Sequence, residues 1–449
     1  MAAIITKDTR LHNARQFLEA VSESANTSIY MFIGKPTTWP NEVAPTTPTD
    51  TYKAQVDIWD NMEVMKRVVP GDVSHVIPRN AWKSGNVYFQ YNDNVSASTL
   101  FDSSFVILNS EYNVYKCLSN GGGNLTINEP IGTGATANNL IINRGIGQDG
   151  YIWKYMYNIS TANWTKFGTS SFIPVVETSA QVQTDAANAR GIYAYDIISA
   201  NVGSSLFADG VHSVTIVGDG TGVSANIQVR SGNIGNVVIT SYGSGYTVAN
   251  ITTNLGNAIV EPIIAPPDGH GYNSIDETGA VYTMVNVRFE QTDAPIVPVD
   301  GFKFRQVGLL KDPFLYGTTK VPTETGNSLL KAYSNIAVVA TTLSNPSAVV
   351  SGATLRGGTS GANATIVSYS GNVINYVKTR TSSANIVANY KPFTAGETIY
   401  VGASSIGDIF SLGNAAVSPK SGEIIYIDNR NVITRASDQV EDVYVVLEF

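Results

Sequence analysis

Residues 421–449 read SGEIIYIDNRNVITRASDQVEDVYVVLEF, and two runs inside them, 423–428 and 443–449, decide how the chain is read. Both are rich in Ile, Val and Tyr and are bounded by Gly or charged residues, the pattern of β-strands. A polar segment carrying Asp428, Asn429, Arg430, Arg435, Gln439 and Glu441 joins them. Leaving Val-Val-Leu-Glu-Phe in water would forfeit roughly 1.5–3 kcal/mol per large side chain, so the tail is expected to pack into a sheet. A core completed by such a strand folds only when the whole length is present, which points towards a structural component.

Working outward, the same style recurs. Residues 150–160 (GYIWKYMYNIS) alternate Tyr151, Trp153, Tyr155 and Tyr157 with Ile152, Lys154 and Met156, a period of two. The aromatic stripe reads as a sheet face packed against another layer rather than as a sugar-stacking platform. Further strands are expected at 28–33, 74–78, 87–91, 112–118, 281–289 and 302–310. Helical spacing is confined to the N-terminal part. Leu11, Ala14, Leu18 and Val21 share one face after the candidate caps Asp8 and Thr9. A second helix, capped by Asp50 and aligning Tyr52, Val56 and Trp59, is expected to run to about Arg67. Between them lies a Pro/Thr-rich connection, 35–50.

Two segments differ in texture. Residues 200–267 and 337–418 are short β runs broken by Gly and Asn, as in GDGTGVSANIQV and GGTSGANATIVS. They read as small β modules inserted in a larger domain. The expected division is therefore 1–199, an N-terminal part of the core with helices; 200–267, a first module; 268–336, core again; 337–418, a second module; and 419–449, closing core strands. The class is mainly β (α+β).

Composition excludes several functions. The 449 residues carry a net charge of −8, only 14% charged residues and no basic block, so phosphate neutralisation and nucleic-acid binding are not expected. With one cysteine, Cys117, no intramolecular disulfide or thiolate zinc site can form. No signal peptide and no membrane span are read, and the chain is expected to be made in the cytosol and to stay soluble, or to reach the outside by lysis or assembly rather than secretion.

Chemistry is sparse. His12, His75, His212 and His270 are scattered, without an i, i+4 pair. Residues 132–137 (GTGATA) imitate a dinucleotide fingerprint but open no apolar helix, and they read as a loop. Residues 268–273 (DGHGYN) lack calcium-loop spacing and read as a structured turn whose glycines supply positive φ. No catalytic, cofactor-binding or metal-ligating residue is assigned, and no cofactor.

In order along the chain, IYMFIGKPTTWPNE, VDIWDNM, VSHVIPRNAW, VYKCL, DGYIWKYMY, FRQVGLL with Asp312-Pro313, and the terminal SGEIIYIDNR and DQVEDVYVVLEF resemble the baseplate wedge subunit encoded by gene eight of T-even-type contractile-tail phages. That resemblance implies a non-enzymatic virion protein of the tail baseplate. Its fold would be a layered β-sandwich core with helices in long loops. It implies a homodimer within each wedge, neighbours resembling the products of genes six, seven and ten, and rearrangement when the tail attaches. It is silent on the two Gly-rich segments, which read as surface decorations. The alternative reading gives them a host surface glycan to bind, through Tyr242, Tyr246, Tyr369, Tyr376 and Tyr390. With only Cys117, a dimer rests on packing or at most one symmetric disulfide.

Overall fold

The computed structural model describes residues 3–23, 27–134, 139–143, 147–203, 206–290, 303–322, 332–334, 337–379, 391–436 and 439–449. The architecture is mainly β, with several sheets and few helices. The chain divides into two compact units. One comprises 1–16, 74–284 and 446–449, and the other comprises 17–73 and 285–445.

In the second unit an antiparallel five-stranded sheet runs in the order Ala332–Ser334, Met62–Arg67, Ile29–Gly34, Lys303–Lys311, Glu423–Thr434. The central strand IYMFIG is buried at every position, as befits a strand covered on both faces. Tyr30, Phe32, Met65 and Leu310 pack with Ile58 and Trp59 of the helix Tyr52–Asn61. Gly308 is required in the neighbouring strand, because a Cβ there would strike the Phe32 ring and the Tyr426 carbonyl.

Three sequence expectations change here. The second helix stops at Asn61, and its N-cap is Thr51, whose hydroxyl accepts the Ala54 N–H at 3.2 Å, not Asp50. Residues MEVMKR continue as a strand, since pairing with Ile29–Gly34 outweighs a helical spacing that short apolar runs share with strands. In the tail, Glu423–Thr434 is one long strand, so half of the expected polar link carries on the ladder, opposite Gln306 and Phe304.

The other large element of this unit is a closed six-stranded antiparallel barrel. Its order is Ala337–Leu343, Val373–Thr379, Asn363–Ser370, Thr354–Gly357, Thr398–Val401, Ser404–Gly413, and back to the first. Leu355, Ile366, Ile374, Ile399, Ile406 and Ile409 fill it, alternating inward along the strands. Glu397 fastens one turn, accepting the Ser360 N–H (2.8 Å), the Thr359 N–H (3.1 Å), the Thr394 N–H (2.7 Å) and the Ser360 hydroxyl (2.8 Å).

The first unit contains the antiparallel sheet Val106–Leu108, Asn113–Asn120, Tyr151–Asn158, Leu140–Ile142. Tyr151 and Trp153 are fully buried with Tyr88, Tyr115 and Cys117, and their rings stack at 5.1 Å. The stripe is thus a packed face. Both faces of this strand are covered, Ile152 and Met156 being as buried as the aromatics. The expected strand at 87–91 is absent. That segment runs extended without a ladder, held by the Tyr91 N–H to the Cys117 carbonyl and the Tyr88 N–H to the Tyr151 hydroxyl.

Another sheet takes the order Glu441–Glu448, Tyr282–Phe289, Val73–Pro78, Phe172–Pro174. Val443 and Val445 of the tail are buried, and the Phe449 N–H bonds the Val281 carbonyl. The first helix begins at Lys7, placing Asp8 and Thr9 in its first turn rather than at the cap, where an acidic side chain still favours the helix dipole.

Residues 192–264 form three small antiparallel sheets. Gly210–Val214, Thr221–Arg230 and Asn233–Ser244 make one, Ile216–Gly218 pairs Ala249–Ile251, and Ile192–Ser199 pairs Ile259–Ile264. Ala225, Ile227, Val229, Ile234 and Val237 form their core, with Tyr195 and Ile197 packed against it. Asp219 ties the loop by accepting the Thr247 and Val248 N–H groups at 2.8 and 3.0 Å and the Thr247 hydroxyl. These bonds, the hydroxyl's first, lower its pKa to about 2.

Candidate functional site

The DGHGYN turn leads to a charged interior, with Lys116, Lys154, His270 and Glu277 all buried. Gly269 and Gly271 have φ of 85° and 91°. A Cβ on the first would strike the Ala186 carbonyl, and one on the second the Lys154 side chain. The turn ends at Asn273, whose side chain accepts the Asp276 N–H and caps the short helix Ser274–Thr278. That helix presents Glu277 inward. Its carboxylate accepts the Gly271 N–H at 2.8 and 3.0 Å and the Asn273 N–H at 3.2 Å.

It also meets Lys116 Nζ at 2.9 Å, in an ion pair whose side chains are 0% and 5% exposed. The same ammonium lies 4.0 Å from the Tyr91 ring centroid. His270 is buried with Nδ1 4.0 Å from the Glu277 carboxylate, and the rings of Tyr91 and Tyr193 stand edge-on to it at 5.0 and 5.1 Å.

Burial sets the protonation states. Desolvation, then the Lys116 and Lys154 charges, hold His270 well below the ordinary imidazole range, so it is neutral. Desolvation also lowers Lys116, against the pull of Glu277. Lys154 is lowered to about 8, again first by burial. A lysine titrating near neutrality can serve as a base or nucleophile. At 2% exposure, however, Lys154 gives a substrate no approach. The cluster therefore acts as a buried ionic clamp, tying the strand Asn113–Asn120 to the turn and short helix of 268–278. Sequence reading identified the turn but not its partners, since Lys116 and Glu277 stand 161 residues apart.

The other residues singled out from sequence do not converge. His12 is exposed on the first helix. His75 is buried, with Nδ1 3.1 Å from the Ala280 carbonyl, and His212 Nε2 lies 2.8 Å from the Ala208 carbonyl. Among the described residues no group of three His, Cys, Asp or Glu side chains could hold a metal ion, and no helix is long and apolar enough to cross a membrane. Cys117 is fully buried and its thiol is pushed well up by that burial, which removes the symmetric disulfide from consideration. Residues 135–138 of the GTGATA loop lie outside the described residues. Of the tyrosines considered for glycan stacking, Tyr246 and Tyr376 are core residues and Tyr242 stacks on Tyr193. Tyr369 is exposed, and Tyr390 lies outside the described residues.

Several large apolar side chains are exposed among the described residues. On the barrel, Phe410 and Leu412 project outward from Ser404–Gly413 at 80% and 41% exposure. At the sheet edge Leu140–Ile142, Ile131 and Ile142 line a shallow depression at 62% and 41% exposure. An uncovered edge strand and uncovered large apolar side chains are features of a surface that meets a partner.

The comparison with known families bears on what such surfaces serve. Residues 3–126 match the family of bacteriophage T4 Gp8. The Gp8 match spans the strand Ile29–Gly34, the Pro/Thr-rich connection, the helix Tyr52–Asn61, the strand Val73–Pro78 and the strand Asn113–Asn120 with Lys116. Over that first part of the chain it supports the resemblance drawn from the sequence, to a structural protein of the phage tail baseplate. No curated protein matches the chain.

Proposed function

We propose that this chain is a baseplate wedge component that works as a homodimer, bridges neighbouring wedge proteins and takes part in assembly and in rearrangement on host attachment. The match of residues 3–126 to the Gp8 family carries this reading. The neighbours expected are proteins resembling the products of genes six, seven and ten, met during assembly in the host cytoplasm. Catalysis has no part in it.

The physical support is in the surfaces and the interior together. A bridging subunit must hold its own shape while offering apolar ground to others. The buried clamp Lys116–Glu277 serves the first need, and the open positions Phe410, Leu412, Ile131 and Ile142 serve the second. Obligate interfaces typically bury about 2,000 Å² or more with an apolar centre. A buried Cys117 leaves packing as the means of dimerisation. The segments 200–267 and 337–418 are proposed as decorations grafted on the core, an insertion the core tolerates because loop closure grows only slowly with length.

Light scattering on the purified protein tests the dimer: a mass of twice 47.9 kDa is expected, and a mass of one chain would remove it. Co-expression with wedge proteins from the same phage should give a complex that sediments as one species. Separate sedimentation would remove the bridging role.

A further inference from the structure

A cleft of ≈ 850 Å³ lies within the first unit, between the module sheet and the turn 120–124. Its volume falls in the range of small-molecule sites, about 300–1,000 Å³. One wall is the outer face of the hairpin Thr221–Arg230 and Asn233–Ser244. Ile227, Val229 and Val237 turn into the module core, so by the period of two Gln228, Arg230 and Asn236 project the other way. Gln228 stands directly across the ladder from Asn236. None of these three side chains makes a hydrogen bond among the described residues.

The facing wall carries Phe89, its ring 38% exposed, and Gln90. Gln90 commits only its carbonyl oxygen, to the Asn120 N–H at 3.2 Å. Gly121, Gly122 and Gly123, all at positive φ (66°, 82° and 84°), carry the chain closely round the rim with no side chains in the way.

We propose that this cleft binds a neutral oligosaccharide. A carboxamide offers a donor and an acceptor on one planar fork, which matches a pair of neighbouring sugar hydroxyls. Three such groups with unspent capacity converge here beside one exposed aromatic ring, whose face suits the C–H surface of a pyranose. Asp196 and Arg230 are the only charged residues on the lining, one of each sign. A phosphate-rich or strongly acidic ligand is therefore not favoured. A protein partner would call for an apolar, aromatic centre, and this lining is mostly amides, glycines and hydroxyls. The site differs from the tyrosine platforms expected from sequence, because it is built where the module hairpin faces the aromatic sheet and neither segment carries it alone. It does not rest on the baseplate reading.

The test uses the full chain on an array of neutral oligosaccharides, followed by titration calorimetry with any sugar retained. Retention of at least one oligosaccharide is expected. Gln228→Ala with Asn236→Ala should weaken it at least tenfold with an unchanged melting temperature, since both side chains sit on the outer face of the hairpin. Phe89→Ala should weaken it similarly. Retention of no sugar, or affinity that survives the Gln228/Asn236 pair, would overturn the proposal. So would the pair blocking entry of the chain into baseplates while no sugar is retained, which would make the cleft a protein contact. A dimer mass bears on the baseplate reading alone, so the two can fail separately.

Discussion

The barrel formed by the six strands from Ala337–Leu343 to Ser404–Gly413 and the clamp around Glu277 solve the same problem with opposite materials. The barrel has an apolar interior, mostly aliphatic with Tyr376 and Phe393, and Glu397 fastens one of its turns. The other region buries two lysines, a glutamate and a histidine among tyrosines. An apolar interior tolerates many substitutions of similar volume. A buried ion pair tolerates almost none singly, because the partner left behind is a desolvated charge. The barrel is thus the forgiving region and the clamp the exacting one.

The largest expected effect breaks the clamp. Lys116→Ala should lower stability by about 3–5 kcal/mol, measured by denaturant unfolding, because Glu277 would keep its charge without its partner. The double change Lys116→Met, Glu277→Leu should cost clearly less than either single change, and equal costs would mean that the pair does not act as a unit. In the barrel, Ile366→Ala should cost about 2–5 kcal/mol through a cavity, while Ile366→Val should cost only about 0.5–1.5. A clamp substitution no worse than Ile366→Val would erase the contrast.

Acid should separate the regions next. His75 and His270 both have folded pKa values depressed below 6.5, chiefly by burial. Above that pH neither state binds the proton and nothing is lost. As pH falls below 6.5 the unfolded chain takes protons that the folded chain refuses, so stability falls by up to about 1.4 kcal/mol per pH unit for each histidine. The barrel sequence holds no histidine. Hydrogen exchange between pH 7 and pH 5 should show faster opening around Glu277 with little change at Ile366, and His270→Gln should reduce the slope. The smallest effect concerns the surface. Phe410→Ser should leave stability within about 0.5 kcal/mol, since the ring is 80% exposed, yet weaken incorporation into baseplates.

The same contrast explains what could be read from the sequence. Strands such as Tyr151–Asn158 and Tyr282–Phe289 were legible because β-branched and aromatic residues bounded by turn formers carry the signal locally. The Gly-punctuated texture of the barrel announced short strands, though not that they close on themselves. The clamp was illegible for a physical reason: a lysine at an alternating strand position reads as a solvent-facing residue. Lys154 counted as the other face of a stripe, and only tertiary packing buries it. Met62–Arg67 reads as helix in sequence because its fate is set by pairing with the strand Ile29–Gly34, which lies outside the segment itself. The cleft had no signal either, since Gln228, Asn236 and Phe89 are ordinary surface residues until folding makes them face one another.

The ladder between Ile29–Gly34 and Lys303–Lys311, closed at its end by the Ser28 N–H on the Asp312 carboxylate across 284 residues, has a kinetic meaning. A hairpin such as Thr221–Arg230 with Asn233–Ser244 can zip on the microsecond scale. The central sheet must instead bring together segments that the chain statistics keep apart. The extra entropy is only about 0.6 kcal/mol for each doubling of the loop, but it falls before any contact repays it, so such topologies fold slowly. Meanwhile IYMFIG waits with an unpaired apolar edge, and self-association of that strand is the hazard against which the speed of its late pairing competes.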